Sequence, residues 1–430
     1  MNIAITNAKL FTLDAESQAE SDLHGTQNIY LSNGRIASIG APPQDFAADK
    51  VIDAAGKMVC PGFVDLAARL REPGAEHKAH LESELLAAAA GGVTSIVCPP
   101  DTDPVLDEPS LVDMLKRRAA ANKQAQVYPL GALTRGLGGK ELCELVELTQ
   151  AGCVGFSQAN APLFDTAVLR RSMQYAATFG YAVWLRAEDS HLSAGGVAHE
   201  GEMATRLGLG GIPVAAETLS ISKIIILMRE TGAKVHLERL SSGAGVALVR
   251  QAKAEGLPLT ADVGVHHLHL SDRDIGYFDP QYRFTPPLRD PRDRDALSAG
   301  LLDGTIDAIC SDHTPVDADE KLLPFAEATP GATGLELLLP LTLKWASQSG
   351  ESIARALSLI SAKPAQLLGL SQGVLKAGSP ADITIFDPQA FWAVTAKTLR
   401  SQGHNSPYLG REMQGKVTHT IVAGRVIYAA

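Results

Sequence analysis

The sequence has no long apolar run and no strongly basic region, and each absence argues against a class of protein. No stretch of about 18 uncharged apolar residues occurs, so the sequence predicts no membrane-spanning helix. The net charge of −10 is spread along 430 residues without a basic stripe. Nucleic acid and anionic membrane surfaces are therefore not expected as partners.

Cysteine is scarce, and its spacing gives no sign of a disulfide framework. The five cysteines are odd in number and widely separated, without a Cys-x-x-Cys pair. This pattern also argues against a structural zinc knuckle. The N-terminal run "MNIAITNAKLFTLDAESQ" predicts a strand rather than a cleavable signal peptide. Together these features predict a reduced, cytoplasmic setting.

Eight short apolar runs alternate with amphipathic segments from about residue 60 onward, which is typical of repeated βα units. Each run is apolar enough to be buried on both faces, as strands of a parallel sheet are. Eight units predict an α/β fold, a TIM-type (β/α)8 barrel over residues 56–375, with reactive groups at the carboxyl ends of its strands. The runs are "VCPGFVDL", "TSIVCPP", "QVYPLGAL", "GCVGFS", "YAVWLRAE", "AKVHLERL", "LPLTADVGV" and "IDAICSD".

The two ends of the chain have a different pattern. Both contain alternating or β-rich runs joined by Gly and Asn turns, such as "NIYLSNGRIASIG" and "THTIVAGRVIY". Because neither end buries enough surface alone, the sequence predicts that residues 1–55 and 376–430 pair into one small β-domain beside the barrel.

Several ordered motifs carry a resemblance to a known family. They include "PGFVDL" with "LREPG", "GGVTSIVCPP", "AEDSHLS", "VHHLHLSD", "TPPLRD", "DGTIDAICSDHTP", "KPAQLLGL" and "GSPADITIFDP". In this order, and nearly end to end, the chain resembles the dihydroorotases of the amidohydrolase superfamily. A shared fold does not by itself imply a shared activity.

The resemblance implies a zinc site whose ligands are missing here. In active members, zinc held by histidines and carboxylates converts bound water to hydroxide. The corresponding positions of this chain hold Ala67, Arg69, Gln158, Arg186 and Arg239. Arginine stays protonated and has no lone pair to offer a metal. The sequence therefore predicts that the zinc site is lost and that no cofactor is bound.

The resemblance also concerns the positions of the general base and of the substrate-binding residues, some of which are retained and some altered. The resemblance assigns Asp312 the place of the general base, which is idle without a metal-bound water. It also implies that Arg71 is a retained substrate-carboxylate ligand, whereas Asp101 replaces an asparagine and Val316 a histidine. We expect Arg71 and Asp101 to form an ion pair that excludes an acidic substrate.

Three arginines at former ligand positions suggest that guanidinium charge replaces metal charge. On this hypothesis Arg69, Arg186 and Arg239 point into the barrel mouth, and at least one pairs with Asp312 or Glu188. The alternatives are solvated surface arginines and a site for a phosphate or carboxylate anion.

The histidines of "VHHLHLSD" offer a separate candidate metal site. On a strand, His267 and His269 share one face and His266 lies on the other, with Cys310 or Asp312 on the adjacent strand. The alternative is that these histidines are structural and hydrogen-bonded.

The resemblance leaves two functions from different classes. The favoured one is a catalytically inactive dihydroorotase homologue of de novo pyrimidine biosynthesis, a structural subunit that assembles with aspartate carbamoyltransferase in a homo- or hetero-oligomer. The alternative is an active dihydroorotase or other cyclic-amide hydrolase with an atypical metal site. A fold kept without its ligands favours the first, because a surface that binds a partner needs no buried chemistry.

Overall fold

The computed structural model describes residues 1–13, 20–163 and 165–430. Residues 14–18, the last part of the N-terminal run quoted above, lie outside this range. The strands of the described chain are β1 (Ile3–Leu13), β2 (Glu20–Ser32), β3 (Arg35–Ile39), β4 (Lys50–Asp53), β5 (Met58–Pro61), β6 (Phe63–Asp65), β7 (Val93–Cys98), β8 (Gln126–Pro129), β9 (Gly131–Ala132), β10 (Phe156–Ser157), β11 (Ala182–Leu185), β12 (Ala198–His199), β13 (Gly211–Ile212), β14 (Lys234–Leu237), β15 (Leu259–Gly264), β16 (Ala308–Cys310), β17 (Ile383–Ala393), β18 (Glu412–Val422) and β19 (Arg425–Ala429).

Helices fill most of the connections between strands. The α-helices are α1 (Leu81–Ala90), α2 (Pro109–Asn122), α3 (Leu145–Ala151), α4 (Thr166–Phe179), α5 (Glu202–Leu207), α6 (Val214–Thr231), α7 (Gly243–Ala254), α8 (Pro291–Leu302), α9 (Leu338–Ser349), α10 (Ile353–Ser358) and α11 (Ala362–Leu367). Short 3-10 helices span Arg135–Leu137, Val265–Leu268, Asp272–Ile275, Pro280–Tyr282, Asp319–Lys321 and Leu335–Leu337. None of the described helices combines the length and apolar character needed to cross a bilayer.

The barrel is a ring of parallel strands. β6, β7 and β8 pair in that order, and β9, β10, β11, β14, β15 and β16 continue the ring, with β8 and β9 as two parts of one run. The ring closes at a parallel bridge between Ala68 and His313. Here the Arg69 amide donates to the His313 carbonyl at 2.9 Å, and the His313 amide donates to the Ala67 carbonyl at 3.1 Å. All eight predicted runs contribute barrel strands, which confirms the (β/α)8 fold.

A second sheet contains strands from both ends of the chain. Its order is β19-β18-β17-β5-β1-β2-β3, with β4 paired to β1. β5 connects the two ends because it pairs parallel with β1 and antiparallel with β17. The expected pairing of the chain termini is therefore confirmed.

The run "VCPGFVDL" is two strands rather than the single one expected. β5 lies in the terminal sheet, whereas β6 lies in the barrel, and Gly62 separates them. A Cβ at Gly62 would lie 2.3 Å from the side-chain Oγ1 and Cγ2 atoms of Thr94, which is fully buried. Only glycine lets the chain pass β7 closely enough to leave one sheet and enter the other.

One hydrophobic core joins the barrel to the terminal sheet. Phe11, Met58 and Phe386 from the terminal sheet pack in the same cluster as Phe63 and Phe156 from the barrel. Asp165 caps α4 and Asp290 caps α8, each accepting backbone N–H bonds in the first turn. These caps satisfy backbone N–H groups where the two helices begin.

Replacing Gly62 with alanine tests the close approach at the sheet junction. We expect Gly62→Ala to lower the free energy of unfolding by about 1–3 kcal/mol, because the added methyl overlaps Thr94. Urea unfolding followed by circular dichroism measures the change. Gly138→Ala is the control. Gly138 has φ −75°, and a Cβ added there would lie 3.3 Å from its nearest neighbour, the Arg135 carbonyl oxygen. An equal effect of both substitutions would contradict the steric explanation.

Candidate functional site

The residues singled out from the sequence follow the carboxyl ends of barrel strands, where the fold places reactive groups. They come from six different strands and meet at one mouth of the barrel. Ala67 and Arg69 follow β6, Asp101 follows β7, Gln158 follows β10, Arg186 follows β11, Arg239 follows β14 and Asp312 follows β16.

Asp312 lies between two guanidinium groups. Arg239 Nη1 donates to Asp312 Oδ1 at 2.9 Å, and Arg69 Nη1 lies 3.9 Å from the same oxygen. The exposed fractions of the side chains are 3% for Asp312, 2% for Arg239 and 8% for Arg69. These are buried ion pairs, so the hypothesis that arginine charge neutralises Asp312 is confirmed geometrically, and the solvated-surface alternative is wrong.

The charge of Arg239 is maintained despite its burial. Burial alone would lower the pKa of Arg239, but Asp312 and Glu238 outweigh it and raise the pKa well above the ordinary arginine value. Burial raises the pKa of Glu238, although Arg239 partly opposes this. Arg239 Nη2 also donates to the Asn160 side-chain oxygen at 3.1 Å. The guanidinium therefore cross-links groups that follow three barrel strands.

The backbone around the site is held in an uncommon conformation. Arg71, Ala159, Arg239 and Asp312 have φ values of 63°, 50°, 56° and 47°. Side-chain-bearing residues rarely adopt this left-handed region, and each such residue costs on the order of 1 kcal/mol or more. Backbone strain concentrated at a barrel mouth is typical of a functional-site geometry that the surrounding fold enforces.

The expected pair between Arg71 and Asp101 is wrong. Asp101 Oδ2 instead accepts from Arg69 Nε at 2.8 Å, and Arg71 Nε donates to the Pro315 carbonyl at 2.8 Å. Burial would raise the pKa of Asp101, but Arg69 reverses the effect and lowers it. Burial, aided by the charge of Arg69, lowers the pKa of Arg71 to about 10. Arg69 thus takes the carboxylate that the sequence assigned to Arg71.

Arg186 forms a separate pair with its own neighbour. Its two terminal nitrogens contact both carboxylate oxygens of Glu188, and Ser193 donates a further hydrogen bond to Glu188 at 3.1 Å. Burial would raise the pKa of Glu188, but Arg186 lowers it overall. Asp189 serves the backbone instead, because its carboxylate accepts the amides of the following turn.

The two remaining altered positions, Ala67 and Gln158, offer no side-chain atom that is free to bind a metal. Ala67 is buried and has no polar side-chain atom. The Gln158 side-chain oxygen accepts from Thr134 Oγ1 at 2.9 Å, and its nitrogen donates to the Leu137 carbonyl at 2.7 Å. Gln158 therefore fixes the Thr134 loop.

The three neighbouring histidines do not gather into a metal site. His266 and His267 lie in a 3-10 helix, not on the strand expected from the sequence. His267 Nε2 contacts the Pro286 carbonyl at 3.1 Å, and His269 Nε2 contacts the Leu341 carbonyl at 2.8 Å. His266 stacks on Tyr408 and lies beside Phe284, and both of its ring nitrogens are buried without a hydrogen-bond partner. The structural, hydrogen-bonded interpretation therefore holds for His267 and His269 but not for His266.

Three other side chains of types that can bind a metal lie close together. Ligand atoms of His199, Asp290 and Asp293 lie within 4.8 Å of one another in the described chain. The sequence gives no signal for this set, because His199 lies far from Asp290 and Asp293 in the chain. Arg289 Nη1, however, lies 3.2 Å from His199 Nδ1, and Asp290 and Asp293 accept backbone amides. An adjacent guanidinium opposes a cation here.

The barrel mouth does not fit a zinc ion of the family type. The positions where the resemblance implies imidazole ligands hold other side chains, and a divalent cation beside Asp312 would meet the guanidinium groups of Arg69 and Arg239. Sequence analysis did not identify Thr314, whose hydroxyl accepts from Arg69 Nη1 at 3.3 Å, or the buried Glu238. Both belong to motifs that the sequence quotes, but neither has a ligand spacing that singles it out.

Removing the Asp312 charge tests the ion-pair network. We expect Asp312→Asn to lower the free energy of unfolding by about 3–5 kcal/mol, because Arg239 loses its buried counter-charge. In a double-mutant cycle measured by urea unfolding, Asp312→Asn with Arg239→Met should cost less than the sum of the single substitutions.

The control for that cycle is Glu255→Gln, which breaks the exposed pair between Arg229 and Glu255. We expect little change in the free energy of unfolding, because water screens this pair. Additive losses from Asp312→Asn and Arg239→Met would contradict direct coupling between the two side chains.

Comparison with known proteins agrees with the architecture and with the motifs. A family model described as dihydro-orotase-like matches residues 56–244, and an amidohydrolase family model matches residues 215–428. Among solved structures, the L-hydantoinase (dihydropyrimidinase) from Arthrobacter aurescens superposes with a TM-score of 0.87 at 26% identity, covering 99% of this chain and 96% of that chain. The dihydropyrimidinase from Brevibacillus agri, 21% identical, shares the fold with a TM-score of 0.82, covering 100% of this chain and 95% of that chain.

Curated relatives match over the full length. A dihydroorotase-like protein from Pseudomonas aeruginosa is 42% identical, covering 100% of both chains. A dihydroorotase from Geotalea daltonii is 38% identical, covering 100% of this chain and 99% of the relative. With this identity over its whole length, the chain belongs to the dihydroorotase-like family of the amidohydrolase superfamily.

Proposed function

We propose that this chain is a catalytically inactive dihydroorotase homologue that serves pyrimidine biosynthesis as a structural subunit, assembled with aspartate carbamoyltransferase. The observation that carries the proposal is the buried contact of Asp312 with Arg239 and Arg69. A carboxylate engaged by two guanidinium groups is a poor general base, and no water activated by a metal is available to it.

The substrate side of the mouth supports the same proposal. Asp101 places a carboxylate where the family has an asparagine, and Arg69 occupies it. The cavity lined by Arg69, Arg71 and Asp101 has a volume of about 60 Å³. This volume is well below the hundreds of cubic ångströms of ordinary substrate pockets. A cyclic amide with a carboxylate would have to displace these side chains.

The role as a partner subunit rests on what the chain keeps. The chain keeps the fold of its structural neighbours, while the positions where the resemblance implies metal ligands hold Ala67, Arg69, Gln158, Arg186 and Arg239. A protein that keeps its fold without catalytic residues in its interior can still act through its surface. The family resemblance, rather than any surface feature, points to aspartate carbamoyltransferase as the partner and to an oligomeric assembly.

An active hydrolase with an atypical metal site is the competing function. Relatives named dihydroorotase at 38% identity favour it. The site residues weigh against it, because Arg69 and Arg239 lie beside Asp312 and because His267 and His269 contact different backbone carbonyls.

Metal content and turnover distinguish the two functions. We expect the purified protein to hold no stoichiometric zinc after dialysis and to show no hydrolysis of dihydroorotate or cyclisation of carbamoyl-aspartate. Elemental analysis and a turnover assay test this, with a dihydroorotase that retains its ligand residues as the positive control. About one zinc per chain, together with turnover, would reverse the proposal.

The variant Asp101→Asn serves as a second control in that assay. It restores the family's amide but leaves Arg69 and Arg239 in place, so we expect no turnover. Appreciable activity in this variant would mean that the chain binds a catalytic metal through other residues.

Co-assembly tests the partner role. We expect this chain and aspartate carbamoyltransferase from the same organism to elute together in size-exclusion chromatography at micromolar concentration. The variant carrying both Asp312→Asn and Arg239→Met should assemble equally well and leave transferase activity unchanged, because it alters the buried mouth rather than the surface. Separate elution, with a transferase that is fully assembled and active alone, would contradict the subunit role.

A further inference from the structure

A cavity lies beside the barrel mouth, between the ends of β10 and β11 and helices α4 and α6. Its volume is about 170 Å³, and neither the ion-pair network nor the proposed subunit role uses it. One wall is apolar, with Leu163, Leu185 and Ile224. The polar lining residues include Arg186 and Lys223.

Arg186 lines this cavity and also has an unsatisfied donor. Its terminal nitrogens are bound to Glu188, but its Nε–H is buried without an acceptor, and only 9% of the side chain is exposed. Arg69 and Arg239 each also have one buried nitrogen without a partner. Arg69 lines only the cavity of about 60 Å³, and Arg239 lines neither cavity. Of these three arginines, Arg186 therefore combines a buried N–H without an acceptor with a place in the lining of the cavity of about 170 Å³.

The charges on the cavity wall do not balance. Glu188 is already engaged by Arg186 and Ser193. Lys223 makes no hydrogen bond or ion pair with any described residue, and it is only partly exposed. Among the lining residues that the structure describes, one positive charge thus has no counter-charge. A partly buried cation in this position favours an anionic ligand.

We propose that this cavity binds a small aliphatic monocarboxylate. The carboxylate accepts from Arg186 Nε–H and from the Lys223 ammonium, and the alkyl chain packs against Leu163, Leu185 and Ile224. The volume suits this ligand, since a water molecule takes about 30 Å³ and the cavity has room for roughly five. A phosphate would leave the leucine and isoleucine wall unfilled, and its second charge would have no matching cation.

Butyrate is the probe for this site. Sodium butyrate is titrated into the full chain at constant ionic strength, and saturation-transfer NMR of its methyl protons measures binding. We expect saturable binding in the millimolar range, as befits so few atoms, and at least about tenfold weaker binding of the neutral isostere butyramide. Lys223→Met should weaken butyrate binding by about tenfold, whereas the charge-preserving Lys223→Arg should retain it.

The matched control is Lys344→Met, which removes an exposed lysine on α9 and should leave butyrate binding unchanged. Equal binding of butyrate and butyramide would overturn the proposal, as would an equal loss in Lys344→Met or the absence of saturable binding. If Lys223→Met fails to fold, the comparison of butyrate with butyramide and the Lys223→Arg variant still decide the question.

Discussion

The contact of Asp312 with Arg239 and Arg69 is the constraint on which the barrel mouth depends. A carboxylate that is 97% buried requires nearby positive charge, and two guanidinium groups supply it. Arg69 and Asp312 also flank the bridge between Ala68 and His313 that closes the barrel. Arg239 joins the ends of three strands, because it contacts Asp312 after β16 and Asn160 after β10 from its own place after β14.

Much of the fold was accessible from the sequence because strands buried on both faces leave a strong apolar signal. All eight barrel runs were identified, and so was the pairing of the chain ends. The division at Gly62 was not, because its cause is the nearby Thr94 side chain, more than thirty positions along the chain. The 3-10 helix at Val265–Leu268 was missed for a similar reason, since "VHHL" has the residue types of a strand.

The candidate site was predictable in its residue types but less so in its pairings. Charge alone indicates that the arginines must find carboxylates, and the sequence offered Asp312 and Glu188 as partners without assigning an arginine to either. It does not indicate that Asp101 pairs with Arg69 rather than Arg71. That difference appears only in the structure, where the Pro315 carbonyl accepts from Arg71 Nε. The sequence shows which charged residues are present, whereas the geometry of the strand ends determines which of them form ion pairs.

The fold of this chain is shared more widely than its sequence. The chain superposes on an L-hydantoinase with a TM-score of 0.87 although only 26% of the residues are identical. Strand order and backbone packing give that superposition, whereas the side chains that follow the strand ends are free to differ. Arg69 and Arg239 bring fixed positive charge to the strand ends, where a neutral imidazole would offer a metal a lone pair. Residues that follow the strands can therefore change the chemistry of a barrel while its fold is kept.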